Sequence, residues 1–227
     1  MAKTYLEPEE VGKLEGAADN LRDKLLIRLL FRLGCRISEV LGIGEENIDF
    51  RLGTVTIQHL KVRLKLSCPQ CHSRLAKTAK FCPGCGDKVE KVVTEASEHR
   101  RQRALPIDKD TLSMLRNYID RGGLVEIDGR RLLFDIKRRR AADIVSQCAA
   151  RAGLGYLVNP ETGELRGISP HRLRDAFAVM AVKKDDSGDG LRLLQEHLGH
   201  QNITTTMRYR KVSGEEQKEW YERMWQN

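Results

Sequence analysis

Two similar cysteine pairs constrain this chain more than any other feature of its sequence. Cys68 and Cys71 frame a CPQC segment, Cys82 and Cys85 frame a CPGC segment, and ten residues separate the pairs. Two CxxC pairs at this spacing place four thiolates for tetrahedral Zn²⁺. We therefore predict a structural zinc site, with His72 as a rival ligand. Because four cysteines complete the ligand shell, we expect no catalytic role for the zinc.

Strand-like segments flank the cysteines. Residues 54–58 (TVTIQ) alternate in a β-branched pattern, and residues 101–107 (RQRALPI) resemble a returning strand that ends at Pro106. We expect an antiparallel hairpin, with residues 66–91 inserted into it as a small zinc ribbon. The alternating segments LKVRLKL and KVEKVVTEA would pair as a two-stranded stalk, and a ribbon this short needs its metal to fold.

The rest of the sequence is predominantly helical in pattern. Residues 21–33 carry a broad stripe of leucines, which predicts a core helix that ends at Gly34. Further helices are expected over 6–16, 35–43, 110–121 and from 137 to Gly153, with a short hairpin possible within the polar loop 155–169. The fold class is therefore mainly α with a small antiparallel β-sheet (α+β).

Composition limits the classes of protein that this chain can belong to. It has 227 residues, of which 40% are hydrophobic and 32% charged, and its formal net charge is +8. The sequence shows neither the roughly 20 consecutive apolar residues that span a bilayer nor a signal-peptide core. We expect a cytoplasmic, nucleoid-associated protein without a membrane partner. The positive charge favours polyanionic partners, although charge alone is weak support.

A second cluster of motifs lies between residues 171 and 209. His171 and Arg174 are three residues apart, so a helix would place them on one face, where they could bind one phosphate. Gly199 can end a helix in the left-handed conformation, and Asn202 or a nearby threonine can cap the next one. This arrangement would bring the flanking histidine and tyrosine, His200 and Tyr209, to the same point. Each motif is weak alone, and the ordered set is much more specific.

The segments GCRISEVLGI, HRLRDAFA and LGHQNITTTMRY resemble the three signature boxes of the tyrosine recombinases, which include phage integrases and Xer recombinases. The resemblance extends over nearly the whole chain. It departs from the family in the inserted cysteine segment, in a slightly long interval between HxxR and LGH, and in Asp175, where the family often has histidine. The resemblance implies a site-specific DNA recombinase or integrase, with residues 1–227 as its catalytic domain.

The resemblance also implies a role for each residue. Tyr209 would attack the scissile phosphodiester to give a covalent 3′-phosphotyrosyl intermediate, followed by strand exchange and religation without a metal cofactor. A lysine of the hairpin would protonate the leaving oxygen; we assign Lys61, with Lys65 as its rival. Glu39 would accept a hydrogen bond from Arg36 or His171 behind the site. The predicted catalytic residues are Arg36, Lys61, His171, Arg174, His200 and Tyr209, in which the arginines clamp the phosphate, His171 serves in acid–base catalysis and His200 donates a hydrogen bond to the phosphate.

The expected partner is double-stranded DNA. Four consecutive cations open a predicted helix, where they oppose the positive end of its dipole, so we predict that they contact phosphates: Lys137, Arg138, Arg139 and Arg140. The family commonly assembles into a multimer on DNA through a C-terminal tail, here the helix around Trp220, Met224 and Trp225. The basic zinc ribbon would either hold DNA or only stabilise the insertion, and we see no aromatic platform in it for stacking bases.

Two other functions remain open. A type IB topoisomerase shares the chemistry but relaxes DNA without strand exchange, and a non-catalytic DNA-binding regulator would not need the full residue set. Family members usually carry an N-terminal helical domain that completes a clamp around DNA. Because the resemblance begins almost at Met1, we expect no such core-binding domain in this sequence.

Overall fold

The chain folds into helices and small antiparallel sheets, as its sequence predicts. The structure is a computed structural model that describes residues 3–76, 78–159, 162–210 and 221–225, without the side chains of residues 59–65 and 94–101. Two compact units are present: Met1–Ile57 together with Arg103–Asn227, and Gln58–Gln102. The smaller unit is wider than the predicted ribbon because it includes the strands on either side.

The helices in chain order are α1 (Pro8–Gly16), α2 (Leu21–Arg32), α3 (Ile37–Leu41), α4 (Lys109–Asp120), α5 (Arg138–Arg151), α6 (Pro170–Lys184), α7 (Gly188–Leu198) and α8 (Ile203–Met207). The strands are β1 (Ile48–Asp49), β2 (Thr54–Ser67), β3 (Arg74–Leu75), β4 (Val93–Pro106), β5 (Val125–Ile127), β6 (Arg130–Leu132), β7 (Leu157–Val158) and β8 (Leu165–Arg166). In the described part of the chain, no helix combines the length and the apolar character that crossing a bilayer requires.

Helix α2 is the centre of the larger unit. It packs against α1, α3, α4, α5 and α6. The predicted leucine stripe is fully buried, and Ile27 is buried with it, so the helix has apolar contacts on more than one face. The Asn20 side chain begins the helix by accepting a hydrogen bond from the Asp23 amide. Burial on several sides explains why this segment organises the core.

Gly34 ends the core helix and prepares the site. Its φ of +56° lies in the left-handed region, and a Cβ at this position would be 2.4 Å from the ring of Phe177 on α6. Only glycine satisfies both requirements without strain. The sharp turn also directs the Gly34 carbonyl toward Arg174 on α6. The same turn leaves Arg36 as the N-cap of α3, so this helix is shorter than the predicted 35–43.

The turn between α7 and α8 confirms the expected caps. Gly199 is left-handed, with a φ of +68°, and the His200 amide donates back to the Gln195 carbonyl at 3.0 Å. The Asn202 side chain then accepts from the Thr204 amide at 3.0 Å. The Tyr209 amide closes a turn onto Thr206 just after α8. These backbone bonds fix the positions from which His200 and Tyr209 extend.

The predicted hairpins are also present. Strand β2 pairs with both β1 and β4, and the far end of β2 pairs with β3. Strands β7 and β8 form the short hairpin expected within 155–169. Strands β5 and β6 form a hairpin that the sequence pattern did not predict, although Asp128 and Gly129, both with positive φ, are a strong signal for such a turn.

The smaller unit has a small core of its own. Cys68, Leu75 and Cys82 are buried together, with Leu66, Ala79 and Val89 packed around them. The ribbon, in which no aromatic platform for stacking bases was expected, has one exposed aromatic side chain, because Phe81 is 62% exposed. Phe81 directly precedes Cys82 in the sequence.

A buried ion pair joins β4 to α3 in the larger unit. The Arg103 guanidinium donates to both carboxylate oxygens of Glu39, with its Nη2 2.8 Å from Oε2. Arg103 Nε also donates to the His197 carbonyl in the last turn of α7, at 2.8 Å. Burial alone would raise the pKa of Glu39, but the hydrogen bonds and charges of Arg103 and Arg36 lower it to about 2.

This ion pair predicts a specific loss of stability in acid. In the folded chain Glu39 has a pKa of about 2, against 4.5 as its ordinary value, so its contribution is complete above pH 4.5. It is lost as the pH falls toward 2, because the unfolded chain then binds the proton more readily, and the total is about 3 kcal/mol. Urea unfolding of the wild type and of Glu39→Gln measures this.

We expect the free energy difference between the wild type and Glu39→Gln to shrink between pH 5 and pH 3. Glu126→Gln, which changes an exposed carboxylate on β5, is the matched control and should differ little from the wild type throughout. A difference that stays constant over this pH range would contradict the assigned pKa.

Candidate active site

The motif residues line one cavity in the larger unit. The cavity has a volume of about 850 Å³ and lies among the N-cap of α3, the start of α6 and the segment from His200 to Tyr209. The described residues that line it include one carboxylate, Asp175, and six arginines: Arg36, Arg138, Arg166, Arg172, Arg174 and Arg208. This excess of positive charge suits an anionic ligand.

Arg174 is the most buried of these arginines, at 2% exposure. Its Nη1 donates to the Gly34 carbonyl at 2.6 Å, and its Nη2 donates to the Leu198 carbonyl at 2.9 Å and to His200 Nε2 at 3.0 Å. Burial and the nearby charge of Arg36 both lower the pKa of Arg174. Among the described residues, Nε–H and the second Nη1–H have no partner, so two donors remain for a ligand.

His200 is neutral in this arrangement. Burial lowers its pKa to about 4, and the charges of Arg174, Arg36 and Arg103 contribute. Because Arg174 can only donate, His200 Nε2 is the acceptor between them, and the proton lies on Nδ1. Nδ1 is 2.9 Å from Thr206 Oγ1, to which it donates. His200 therefore orients Arg174 in this state.

Arg36 and Glu39 form a second arrangement at the N-terminus of α3. The Arg36 amide donates to Glu39 Oε2 at 2.9 Å, and Arg36 Nη1 donates to Oε1 at 3.1 Å. The Glu39 carboxylate is buried, whereas the Arg36 side chain is 40% exposed and lines the cavity. The contacts of Glu39 thus include Arg36, one of the two partners predicted for it.

Tyr209 contacts the single carboxylate of the cavity. Its hydroxyl donates to Asp175 Oδ1 at 3.0 Å, and its ring stacks on the His200 ring with a centroid separation of 6.3 Å. Burial raises the pKa of the Tyr209 hydroxyl, and the Asp175 charge raises it further. His171 Nε2 lies 3.7 Å from the same Oδ1, on a side chain that is 67% exposed.

The structure therefore brings five predicted residues to one cavity: Arg36, His171, Arg174, His200 and Tyr209. The side chains of Lys61 and its rival Lys65 lie outside the described residues.

The predicted DNA contacts are exposed at the N-terminus of α5: Lys137, Arg138, Arg139 and Arg140. Arg138 also lines the cavity. Trp220 lies outside the described residues, whereas Met224 and Trp225 are exposed on a short helical segment.

Sequence reasoning missed Arg103 and the role of Asp175 as the partner of Tyr209. A signal for Arg103 exists, because a strand places residues two apart on the same face and Leu105 is a clear core residue. A charged residue on the buried face of a strand needs a partner. The contact of Asp175 with Tyr209 joins residues 34 positions apart, so it depends on how α6 and α8 pack.

The four cysteines of the smaller unit form a separate cluster. The Sγ atoms of Cys68, Cys71, Cys82 and Cys85 all lie within 4.8 Å of one another. The distance is 3.7 Å between Cys68 and Cys85 and 3.4 Å between Cys71 and Cys82. A tetrahedral zinc with Zn–S bonds of about 2.3 Å needs sulfur separations of about 3.8 Å, so the cluster fits this ion.

Two family models match this chain. Residues 85–216 match the model of the phage integrase family, and residues 67–89 match a zinc-ribbon domain. The tyrosine recombinase XerA of Pyrococcus horikoshii is 28% identical over 210 residues, which is 92% of this chain and 56% of that protein. The chain thus spans little more than half the length of this relative.

Solved structures show the same fold. The crystal structure of XerA recombinase superposes with a TM-score of 0.62 at 18% identity, over 100% of this chain and 65% of that one. The XerH site-specific recombinase bound to a palindromic difH substrate gives 0.60 at 20% identity, over 97% of this chain and 53% of that one.

The family match covers more than half of the chain, and it contains the segment that supplies His171, Arg174, His200 and Tyr209 to the cavity. Arg36 lies outside the matched residues and reaches the same cavity through the fold. This chain therefore belongs to the phage integrase family.

Proposed function

We propose that this chain cuts and rejoins double-stranded DNA as a site-specific recombinase or integrase. The observation that carries the proposal is the convergence of two arginines, two histidines and a half-buried tyrosine on one positively charged cavity. The names of the similar proteins support it, since XerA and XerD are tyrosine recombinases and XerH was solved on its DNA substrate. Residues 1–227 would be the catalytic domain, with residues 66–91 as an inserted ribbon.

The arginines are placed to hold the scissile phosphate. Arg174 offers two donors that have no partner among the described residues, and Arg36 extends into the same cavity. The positive charges of Arg36 and Arg174 repel each other when no anion lies between them. A phosphate bound between the two side chains would relieve this repulsion. As negative charge grows on the non-bridging oxygens, fixed guanidinium donors stabilise it without reorganising.

His200 would change its role when DNA binds. In the structure its Nε2 accepts from Arg174, so a donation to the phosphate requires that the proton move from Nδ1 to Nε2. Tyr209 would attack phosphorus to give the covalent 3′-phosphotyrosyl intermediate, and His171 would serve in acid–base catalysis. The ester bond conserves the energy of the broken strand, so rejoining needs no ATP.

The leaving oxygen needs a proton donor. Lys61 on β2 remains our proposal for this general acid, with Lys65 as the rival, on the basis of their place in the hairpin. A catalytic metal is not part of the proposal, since the arginines supply the positive charge that the phosphate needs.

Tyr209→Phe tests the nucleophile. The change removes one oxygen, so we expect no covalent protein–DNA adduct on a suicide DNA substrate, while DNA affinity stays close to that of the wild type. Tyr156→Phe, which alters an exposed tyrosine, should form the adduct normally. An adduct that persists in Tyr209→Phe would exclude this residue as the nucleophile.

The same substrates separate the alternatives. A type IB topoisomerase-like enzyme would form the adduct and relax plasmids without giving recombinant products. A non-catalytic DNA-binding regulator would bind DNA and form no adduct in the wild type. The intact cavity set favours recombination over the regulator.

The four cations at the start of α5 are the proposed contacts to the DNA backbone. All four are exposed, and none of them is favoured by the helix dipole. Neutralising Lys137, Arg138, Arg139 and Arg140 to alanine should weaken binding to all sequences. The salt dependence of binding should also become weaker. The slope of the logarithm of the binding constant against the logarithm of the salt concentration should fall in magnitude by about 0.9 for each phosphate that the protein no longer neutralises.

Neutralising four exposed cations outside the cavity, Lys13, Lys109, Arg121 and Lys184, is the matched control. This control should keep the wild-type slope, as measured by fluorescence anisotropy of labelled DNA at several salt concentrations. An unchanged slope in the α5 variant would remove these residues from the interface.

The smaller unit is proposed to hold one structural zinc ion in the four-cysteine cluster. Residues 58–102 carry ten lysines and arginines against four acidic residues, a formal net charge of +6 before metal binding. With four thiolates and one Zn²⁺ the net charge becomes +4. The exposed Phe81 adds the aromatic surface that stacks with bases in other nucleic-acid-binding proteins. The ribbon therefore has the charge and the surface to hold DNA.

Replacing Cys82 and Cys85 by serine should release the zinc and unfold the smaller unit, because a ribbon of this size depends on its metal. Metal analysis should give about one zinc per chain for the wild type. His72→Ala is the control and should keep the zinc, since four cysteines complete the shell. Loss of zinc from His72→Ala would show that the histidine is a ligand.

We further propose that the protein assembles into a multimer on DNA, in the cytoplasm at the nucleoid. The exposed apolar side chains of Tyr221, Met224 and Trp225 are suited to contact a second protomer.

A further inference from the structure

We infer that Asp175 is a further catalytic residue, the carboxylate that takes the proton of Tyr209 as its oxygen attacks phosphorus. The inference rests on the proposed function. It identifies Asp175 as the group that accepts the proton of Tyr209, in place of a direct proton transfer from Tyr209 to His171.

The geometry gives Asp175 first access to the proton. Tyr209 Oη donates to Oδ1 at 3.0 Å, so the hydroxyl hydrogen already points at the carboxylate. The other oxygen, Oδ2, accepts from Arg172 Nη1 at 2.9 Å. Arg172 thus fixes the carboxylate from the same helix and leaves Oδ1 directed at Tyr209.

His171 is the competing acceptor, and it is less well placed. The described hydrogen bond of the phenol goes to Asp175. His171 Nε2 lies 3.7 Å from Asp175 Oδ1, beyond a normal hydrogen bond, and its side chain is mostly exposed. The first proton transfer is therefore from Tyr209 to Asp175, across the 3.0 Å hydrogen bond. A later transfer from Asp175 to His171 remains compatible with this geometry.

The chemistry requires an acceptor at this point. Burial and the Asp175 charge raise the pKa of Tyr209, so the hydroxyl carries its proton at neutral pH. A free carboxylate is a weaker base than a phenolate by about six pKa units. Transfer before the attack is therefore unfavourable. Transfer during the attack is feasible, because the phenolic oxygen loses its basicity as it becomes an ester oxygen.

Atoms and electrons balance in this step. The Oη–H bond breaks and the proton moves to Asp175 while the bond from Oη to phosphorus forms. The bond from phosphorus to the 5′ oxygen breaks, and that oxygen leaves with a proton from the general acid. In the rejoining step the 5′ hydroxyl attacks phosphorus and gives its proton back to the general acid. The bond from phosphorus to Tyr209 breaks, and Asp175 returns the proton to the phenolic oxygen.

Other titratable and charged groups surround this pair. The groups on the surrounding elements are Tyr5 before α1, Cys35 after α2, Arg36 at α3, Arg138 at α5, Arg166 on β8, His171, Arg172 and Arg174 on α6, His200 after α7 and Arg208 beside Tyr209. Burial raises the pKa of the Cys35 thiol to about 12. The arginines stay charged across the working range. A pH dependence of cleavage therefore reports on the carboxylate, the phenol, the histidines or the general acid, and substitutions at Asp175 distinguish them.

Single-turnover cleavage of a suicide DNA substrate between pH 6 and pH 10 tests the inference. Asp175→Asn keeps an oxygen that accepts the hydrogen bond but cannot take the proton. We expect its cleavage rate at pH 7 to be about 100-fold or more below that of the wild type. The rate should then rise about tenfold per pH unit, because the phenolate must form before the attack. Asp189→Asn, an exposed aspartate on α7, should keep the wild-type rates.

A second variant, Asp175→His, supplies a different base. Cleavage should return to within about tenfold of the wild type and should lose rate as the pH falls through the imidazole pKa, near 6.5. A residue that only holds Tyr209 in place would change the rate equally at every pH.

Three results would overturn the inference: wild-type rates in Asp175→Asn, a decrease in rate that is independent of pH, or an Asp175→His profile without the new acidic limb. Should Asp175→Asn fail to fold, the profile of Asp175→His decides alone. The absence of any adduct in the wild type would instead refute the proposed function itself.

Discussion

The buried guanidinium of Arg174 is the group on which the arrangement of this site depends. Moving a charge out of water costs several kcal/mol unless its donors are satisfied. Here two backbone carbonyls and one imidazole satisfy three of its five donors: Gly34 after α2, Leu198 at the end of α7, and His200. Each carbonyl is available because a glycine in the left-handed conformation turns the chain beside it. The ends of α2 and α7 therefore determine the position of the Arg174 guanidinium.

The Glu39 carboxylate has a comparable role on the other side of the cavity. It accepts hydrogen bonds from Arg103 and Arg36, so one buried anion fixes β4, α3 and the cavity arginine. Arg103 in turn donates to the end of α7, close to Gly199. The result is a cavity in which positive charge exceeds negative charge among the described residues. An anionic ligand would relieve the repulsion between these arginines, which supports the proposed binding of a phosphate.

Tyr209 contacts Asp175, which is the one carboxylate among the described side chains that line this positively charged cavity. Asp175 holds the phenol as a neutral donor, while Arg172 holds Asp175. The hydrogen bond orients the tyrosine, and burial together with the Asp175 charge raises the pKa of its hydroxyl. The zinc ribbon contributes none of these described contacts. Its four clustered cysteines come from a single stretch of 18 residues.

The sequence by itself determined the helices, the caps and the cysteine cluster, because these depend on neighbours a few residues apart. The leucines of α2, the glycine after α7 and the two CxxC pairs are local signals of this kind. The ordered motifs also indicated which side chains to consider together. Only the tertiary structure decided their partners: Arg103 for Glu39, Gly34 for Arg174, and Asp175 for Tyr209. These contacts join residues 34 to 140 positions apart, so they follow from helix packing, which no local pattern encodes.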